Sequence, residues 1–361
     1  MAAILTCTWA PTPLSGPHLL ASRRPGGGAS GEATASAGDV RAALVEPVLR
    51  AEALGIDYLL VAQRWYGTGK EIEGSTYDCL AMTAYYAACT ERIRLVTAIH
   101  PGFFLPAPIA KWGATLDCIT GGRWAINVTS GWHLQEFPMY GAEVVEHDAR
   151  YERSKEFIDV LRGAWRGAWR GAGTGDGFNY SGVFYQVEGL ELEPRPQSPM
   201  VEVFQGGQSE AAREMAASHS DWVFLNGGRP EKVAEIVSDV RARAAARGRT
   251  VRFALYGIPL CRESDEEADG VIAAMAAAVD PEIARQRRSR VSGAQGMWAE
   301  SDDVLTKLDS NEGFASRLIG SPDTIHRRMM EFHELGIDMF HLTLNDELFV
   351  SEVLPRIQAH R

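Results

Sequence analysis

Apolar runs rich in β-branched residues alternate with helix-like stretches along the whole chain, and this limits the fold more than any other feature. Eight runs read as strands: Ile4–Trp9, Tyr58–Gln63, Arg94–His100, Trp124–Thr129, Val201–Gln205, Trp222–Asn226, Val251–Pro259 and Met339–Leu344. Helical stretches lie between them at Val40–Leu54, Thr76–Thr90, Pro106–Thr120, Tyr151–Trp169, Ser209–Ser218, Pro230–Arg247, Asp265–Val279 and Pro322–Leu335, with another after Asp346. Such alternation implies parallel strands with helices packed outside. Near-continuous apolar strands fit a sheet covered on both faces. Eight units predict an α/β fold, a single (β/α)8 barrel over residues 1–361 rather than an open doubly wound sheet. Helix punctuation agrees: Pro322 sits just inside a start and Gly336 just past an end.

Three segments interrupt the repeat. Residues 22–38 read SRRPGGGASGEATASAG, a flexible loop after strand one. Arg162–Gly177 carries RGAW twice before a Gly-rich stretch and reads as a slipped helix end and a surface turn. Residues 280–319 form a long insertion between the seventh and eighth units, the length expected of a mobile lid. The formal charge of −11, from 36 Lys plus Arg against 47 Asp plus Glu, argues against nucleic-acid binding. No run approaches the ~18 apolar residues of a membrane span, and no secretory signal opens the chain. Five scattered cysteines without a CxxC pair predict neither a disulfide framework nor a metal site, and a cytoplasmic setting.

In a barrel, active residues lie at the C-terminal ends of strands. Here these are Gln63 and Arg64, His100, Asn127 and Thr129, Gln205, Gly206, Gly207 and Ser209, and Asn226. They are carboxamides, hydroxyls and glycines, with no GxSxG, HExxH, Walker A or Rossmann fingerprint among them. Carboxamides both donate and accept, which suits a polar heterocycle such as a flavin. In FQGGQSEAAREMA, two glycines precede Ser209 at a helix start. That is either a phosphate cradle or an ordinary turn with Ser209 as N-cap.

The blocks AIHPGFFLPAPIAKWGATLDCITGGRWAINVTSGWHLQEF, EHDARYERSKEFIDVLRGAW, VFQGGQSEAAREMAASHSDWVFLNG and GMWAESDD…NEGFASRLIGSPDTI resemble the bacterial-luciferase-like, reduced-flavin-dependent monooxygenases. The likeness runs from about Ile56 to the C-terminus. Within that family the chain is most similar to the dimethyl sulfone monooxygenases, and more distantly to the alkanesulfonate and pyrimidine monooxygenases. The resemblance implies that Gln63, Arg64, Asn127, Glu136, Arg150, Tyr151, Gly206, Gly207 and Ser209 bind FMN. It gives Asn127, Thr129, His100 and Trp132 catalytic positions. Trp9, Met297, Trp298, Phe314 and Arg317 fall on the substrate side or the lid.

The resemblance further implies a two-component enzyme. FMNH2 from a separate NAD(P)H-dependent flavin reductase, together with O2, would oxygenate a small organic substrate, a sulfone with carbon–sulfur cleavage. Hydroxylation or heteroatom oxidation of another metabolite is the alternative, as is an F420-dependent oxidoreductase of the same fold. A homodimer or homotetramer is implied, with no nucleic-acid or membrane partner. One departure concerns the substrate. Where alkanesulfonate enzymes hold an Arg-x-His anion clamp on strand seven, this chain reads Tyr256–Gly257–Ile258.

Overall fold

The structure, a computed structural model, describes residues 3–11, 37–65, 76–169, 177–198, 200–279, 305, 308 and 312–360. The barrel strands are β1 (Leu5–Trp9), β2 (Tyr58–Val61), β3 (Arg94–Ile99), β4 (Trp124–Val128), β5 (Val203–Gly206), β6 (Trp222–Leu225), β7 (Arg252–Gly257) and β8 (Met339–Leu342). They close in sequential order, all parallel, with β8 pairing both β7 and β1. The expected barrel is therefore present. Most strands end a residue or two earlier than the apolar runs do. The polar residues beyond them, such as Gln63, His100 and Thr129, face the mouth instead of extending the ladder.

Strand alternation sorts the apolar residues into two cores. Leu59, Val61, Leu95, Ile126, Val203, Val223, Leu255 and Phe340 point outward into one cluster with the surrounding helices. Cys7, Tyr58, Leu60, Val96, Ala125, Phe204, Trp222, Ala254 and Met339 fill the barrel interior. Glu202 closes the floor beneath them. It accepts hydrogen bonds from Tyr58 Oη at 2.9 Å and Trp222 Nε1 at 3.0 Å, and it pairs with Arg94 at 2.8 Å and with Arg252.

The helices are α1 (Ala37–Ala53), α2 (Cys79–Cys89), α3 (Pro106–Thr120), α4 (His147–Trp169), α5 (Glu210–His219), α6 (Pro230–Ala245), α7 (Asp265–Ala277) and α8 (Pro322–Glu334). Three starts differ from expectation by three residues or more: α2 begins at Cys79 rather than Thr76, and α1 and α4 begin early. Helix α1 begins at Ala37, so the last residues of the expected 22–38 loop are helical; residues 22–36 lie outside the described residues. Helix α4 begins at His147, four residues before Tyr151. The Glu146 carboxylate accepts Asp148 N–H at 2.9 Å and so satisfies the free first turn. That helix continues through both RGAW repeats to Trp169.

Part of the 280–319 insertion is built into the barrel rim. Residues Gly313–Ser316 form a 3₁₀ turn. Ile319–Gly320 pairs in parallel with Leu260–Cys261, just beyond β7. An antiparallel hairpin, Phe178–Ser181 with Gln186–Leu190, was not foreseen. No described helix is long and apolar enough to cross a membrane. All five cysteines are free, and among the described residues no cluster of His, Cys, Asp or Glu could hold a metal ion.

Candidate active site

A cavity open to solvent occupies the C-terminal mouth of the barrel. Its walls follow from what each strand presents inward at its last turn. Strands β2, β3, β4 and β5 contribute Ala62, Ala98, Asn127 and Gly206, so that side is shallow-walled and roomy. Strands β6, β7, β8 and β1 contribute Phe224, Tyr256, His341 and Trp9, so the opposite side is aromatic. A Cβ built on Gly206 meets nothing within 4 Å, which confirms open space above that wall.

On the small-residue side two carboxamides are oriented by neighbours. Gln63, 4% exposed, accepts the His100 backbone N–H at 2.9 Å, which leaves its Nε2 without a partner. Asn127, 7% exposed, donates from Nδ2 to Thr129 Oγ1 at 3.3 Å, which leaves Oδ1 unpaired. A buried unpaired donor and a buried unpaired acceptor on the lining of one cavity are each costly unless a ligand satisfies them. Flat walls and alternating polarity fit a fused heterocycle whose edge carries N–H, C=O and ring nitrogen.

His100 lines the same cavity. Burial pushes its imidazole down to about 3, so it is neutral at ordinary pH. Its Nδ1 lies 3.8 Å from Glu136 Oε2, beyond hydrogen-bond reach. Glu136 does not line the cavity. It is buried at the start of the short helix Glu136–Met139, where it accepts the Trp65 backbone N–H. A flavin contact from Glu136 would therefore have to pass through His100 or the Trp65 backbone.

The β5–α5 turn forms one end of the cavity. Ser209 is the N-cap of α5 and accepts Ala212 N–H at 3.3 Å, so its capping role is realised in the structure. Gly207 adopts φ +117°, and a Cβ there would stand 2.8 Å from Tyr151 Oη. Burial raises the Tyr151 phenol, opposed by its hydrogen bond with Ser209 and by Arg150. Tyr151, Gly206, Gly207 and Ser209 thus meet at one place. Arg150 lies behind them, its guanidinium donating to the Gly131 carbonyl and its Nε unpaired.

Of the residues predicted from sequence, Trp9, Gln63, Arg64, His100, Asn127, Thr129, Trp132, Tyr151, Gly206 and Gly207 line this one cavity. Phe314 does not. It is fully buried, in the apolar cluster that includes Tyr256 and Ile258, and the turn it sits in is bound to the strand: Ser316 Oγ donates to Tyr256 O at 2.7 Å. Arg317 faces solvent. Met297 and Trp298 lie outside the described residues. His133, just beyond Trp132, is buried at 5% exposure.

Sequence reasoning passed over His341 and Phe224 as lining residues, and marked Tyr256 only as replacing part of an anion clamp. A lone histidine inside the apolar run Met339–Leu344 reads as core. The usable signal was its inward parity, two residues on from Met339 in the barrel interior.

Comparisons with known proteins agree with this architecture. A sequence profile described as luciferase-like monooxygenase matches residues 18–339. The FMNH2-dependent dimethylsulfone monooxygenase of Pseudomonas putida is 38% identical over 326 residues, covering 85% of each chain. That of Pseudomonas fluorescens strain Pf0-1 is 36% identical over 323 residues, again 85% of each. Among solved structures, a long-chain alkane monooxygenase superposes with a TM-score of 0.78 at 19% identity, covering 99% of this chain and 92% of its own. DmoA from Hyphomicrobium sulfonivorans gives 0.74 at 20% identity, covering 99% and 88%. These two structural likenesses concern the fold alone. With the profile spanning most of the barrel and the curated relatives above a third identical, the chain belongs to the luciferase-like monooxygenase family.

Proposed function

We propose that the protein is a two-component monooxygenase that accepts reduced FMN from a separate NAD(P)H-dependent reductase. With O2 it oxygenates a small uncharged molecule, a sulfone such as dimethyl sulfone, and cleaves a carbon–sulfur bond. One observation carries the flavin half of this reading. Gln63 Nε2 and Asn127 Oδ1 stand buried and unpaired beside the open wall of Ala62, Ala98 and Gly206. The FMNH2 dependence named for the Pseudomonas relatives supports it.

When bound, reduced FMN supplies the electrons that activate O2. The chain supplies placement. Gly206 and Gly207 allow close backbone approach, while Tyr151, Ser209 and the N-terminus of α5 offer hydrogen bonds to a phosphate. Gln63 and Asn127 fix the ring edge, and Thr129 holds Asn127 in its orientation. His100 presents an uncharged imidazole to the same wall. Trp9, Phe224 and Tyr256 shed water from the opposite side, and Trp132, after β4, adds a further aromatic lining residue. With Tyr256–Gly257–Ile258 in place of an anion clamp, the substrate side favours an uncharged molecule. The charge-free sequence CLAMTAYYAAC of α2 supports a homodimer or homotetramer built on that helix, and the scattered free cysteines support a cytoplasmic setting.

The test mixes the full chain with a generic flavin reductase, NADH, FMN and dimethyl sulfone. Methanesulfinate and formaldehyde should form together, with O2 consumed in proportion. Absence of substrate-dependent product, or tight binding of reduced F420 without O2 consumption, refutes the reading.

A further inference from the structure

The aromatic side of the cavity contains a polar group that the flavin reading leaves unused. His341 lies on β8 directly opposite Tyr256 of β7 in the strand register. Its ring is 4.5 Å from that of Trp9, 5.1 Å from Tyr256 and 5.3 Å from Phe224, centroid to centroid. All four line the cavity. His341 is 2% exposed, and its Nε2 makes no hydrogen bond.

We infer that His341 is the specificity-determining residue of the substrate subsite, using its ring to hydrogen-bond the oxygen of a small uncharged molecule held between Trp9, Phe224 and Tyr256. The inference rests on the reading of the site as a reduced-flavin monooxygenase. Four observations support it. A buried nitrogen without a partner is costly, and a ligand oxygen brought against it removes that cost. Burial pushes the imidazole down to about 3, so the ring is neutral and has one N–H to donate. Three aromatic rings tilted around the imidazole favour small apolar groups beside that one polar contact. The charged side chain among the described lining residues is Arg64, which follows β2 on the other side of the cavity. An anionic substrate would therefore meet no countercharge on the aromatic side.

The test uses the full chain, [15N]histidine labelling, and two probes: dimethyl sulfone and methanesulfonate. The His341 ring signals are assigned by their loss in His341→Gln. Dimethyl sulfone should shift them saturably and methanesulfonate should not. With reductase present, His341→Phe should raise KM for dimethyl sulfone by about tenfold or more, the loss of one hydrogen bond to a buried group, while reduced-FMN affinity stays unchanged. His341→Gln, which retains a donor, should recover much of that loss. Ring signals that stay in place at saturating sulfone overturn the inference, as do equal KM values in wild type and His341→Phe. If the wild type makes no product from dimethyl sulfone, the functional reading fails, and the ring signals still decide the role of His341.

Discussion

Gly206 and Gly207 are adjacent, yet their substitution separates binding from folding. Gly206 faces the open part of the cavity, with nothing within 4 Å of where a Cβ would stand and no left-handed backbone requirement. The Cβ of Gly206→Val therefore meets no neighbour in the free protein. It also replaces a flexible residue in a strand, a change that adds about 0.5–1 kcal/mol of stability. The added methyl groups occupy space the flavin ring needs. Forcing them against a bound ring has an overpacking cost of about 1–3 kcal/mol, or roughly 5- to 150-fold in Kd.

Gly207→Ala behaves in the opposite way. At φ +117° a side chain is strained by about 1–3 kcal/mol. Its Cβ would also stand 2.8 Å from Tyr151 Oη and 3.0 Å from Ala212 Cβ. The melting temperature should therefore fall in Gly207→Ala and hold or rise in Gly206→Val. The assay pairs calorimetric melting with anaerobic titration of reduced FMN. Wild-type FMN affinity in Gly206→Val would refute the placement of the ring over the Ala62–Ala98–Gly206 wall.

Other outcomes follow from the same geometry. Asn127→Ala should lower product formation by about a hundredfold, the scale of a lost stabilising hydrogen bond in a catalytic site, while reduced-FMN affinity changes much less; equal loss of both, in turnover and in titration, would mean that Asn127 only anchors the ring. Glu202→Gln should destabilise the barrel by about 2–4 kcal/mol, toward the low end for breaking a buried pair because Arg94 and Arg252 also reach solvent, read as a shift in urea midpoint. The same carboxylate gives a pH signature: burial raises its pKa, but Arg94, the Trp222 hydrogen bond, Arg252 and Tyr58 together bring it below the ordinary value. Its contribution is complete above the unfolded glutamate pKa of about 4.3 and is lost as pH falls through the lower folded value. The stability gap between wild type and Glu202→Gln should therefore narrow on acidification, and a gap independent of pH would contradict this.

The barrel was legible in the sequence because its strands are mostly buried on both faces, and such strands read as near-continuous apolar runs. What escaped reading lacks that signature. The hairpin residues Phe178–Ser181 alternate between partly buried and exposed, with Gly189 in the return strand. The pairing of Leu260–Cys261 with Ile319–Gly320 is two residues long, too short for any periodicity. In the site, residues just beyond strand ends were found because polar groups there interrupt an apolar pattern. His341 was not, although, like Asn127 of β4, it lies one residue inside its strand's end. Glu136 shows the complementary limit: sequence placed a carboxylate near the mouth, but only the folded chain reveals that it binds the Trp65 backbone rather than facing the cavity.

The account depends most on where the nucleotide lies. A crystal of the full chain soaked anaerobically with reduced FMN should show the phosphate against Gly207 and Ser209 and the polar ring edge against Gln63 and Asn127. Nucleotide density elsewhere on the protein, or none at saturating concentration, would contradict it.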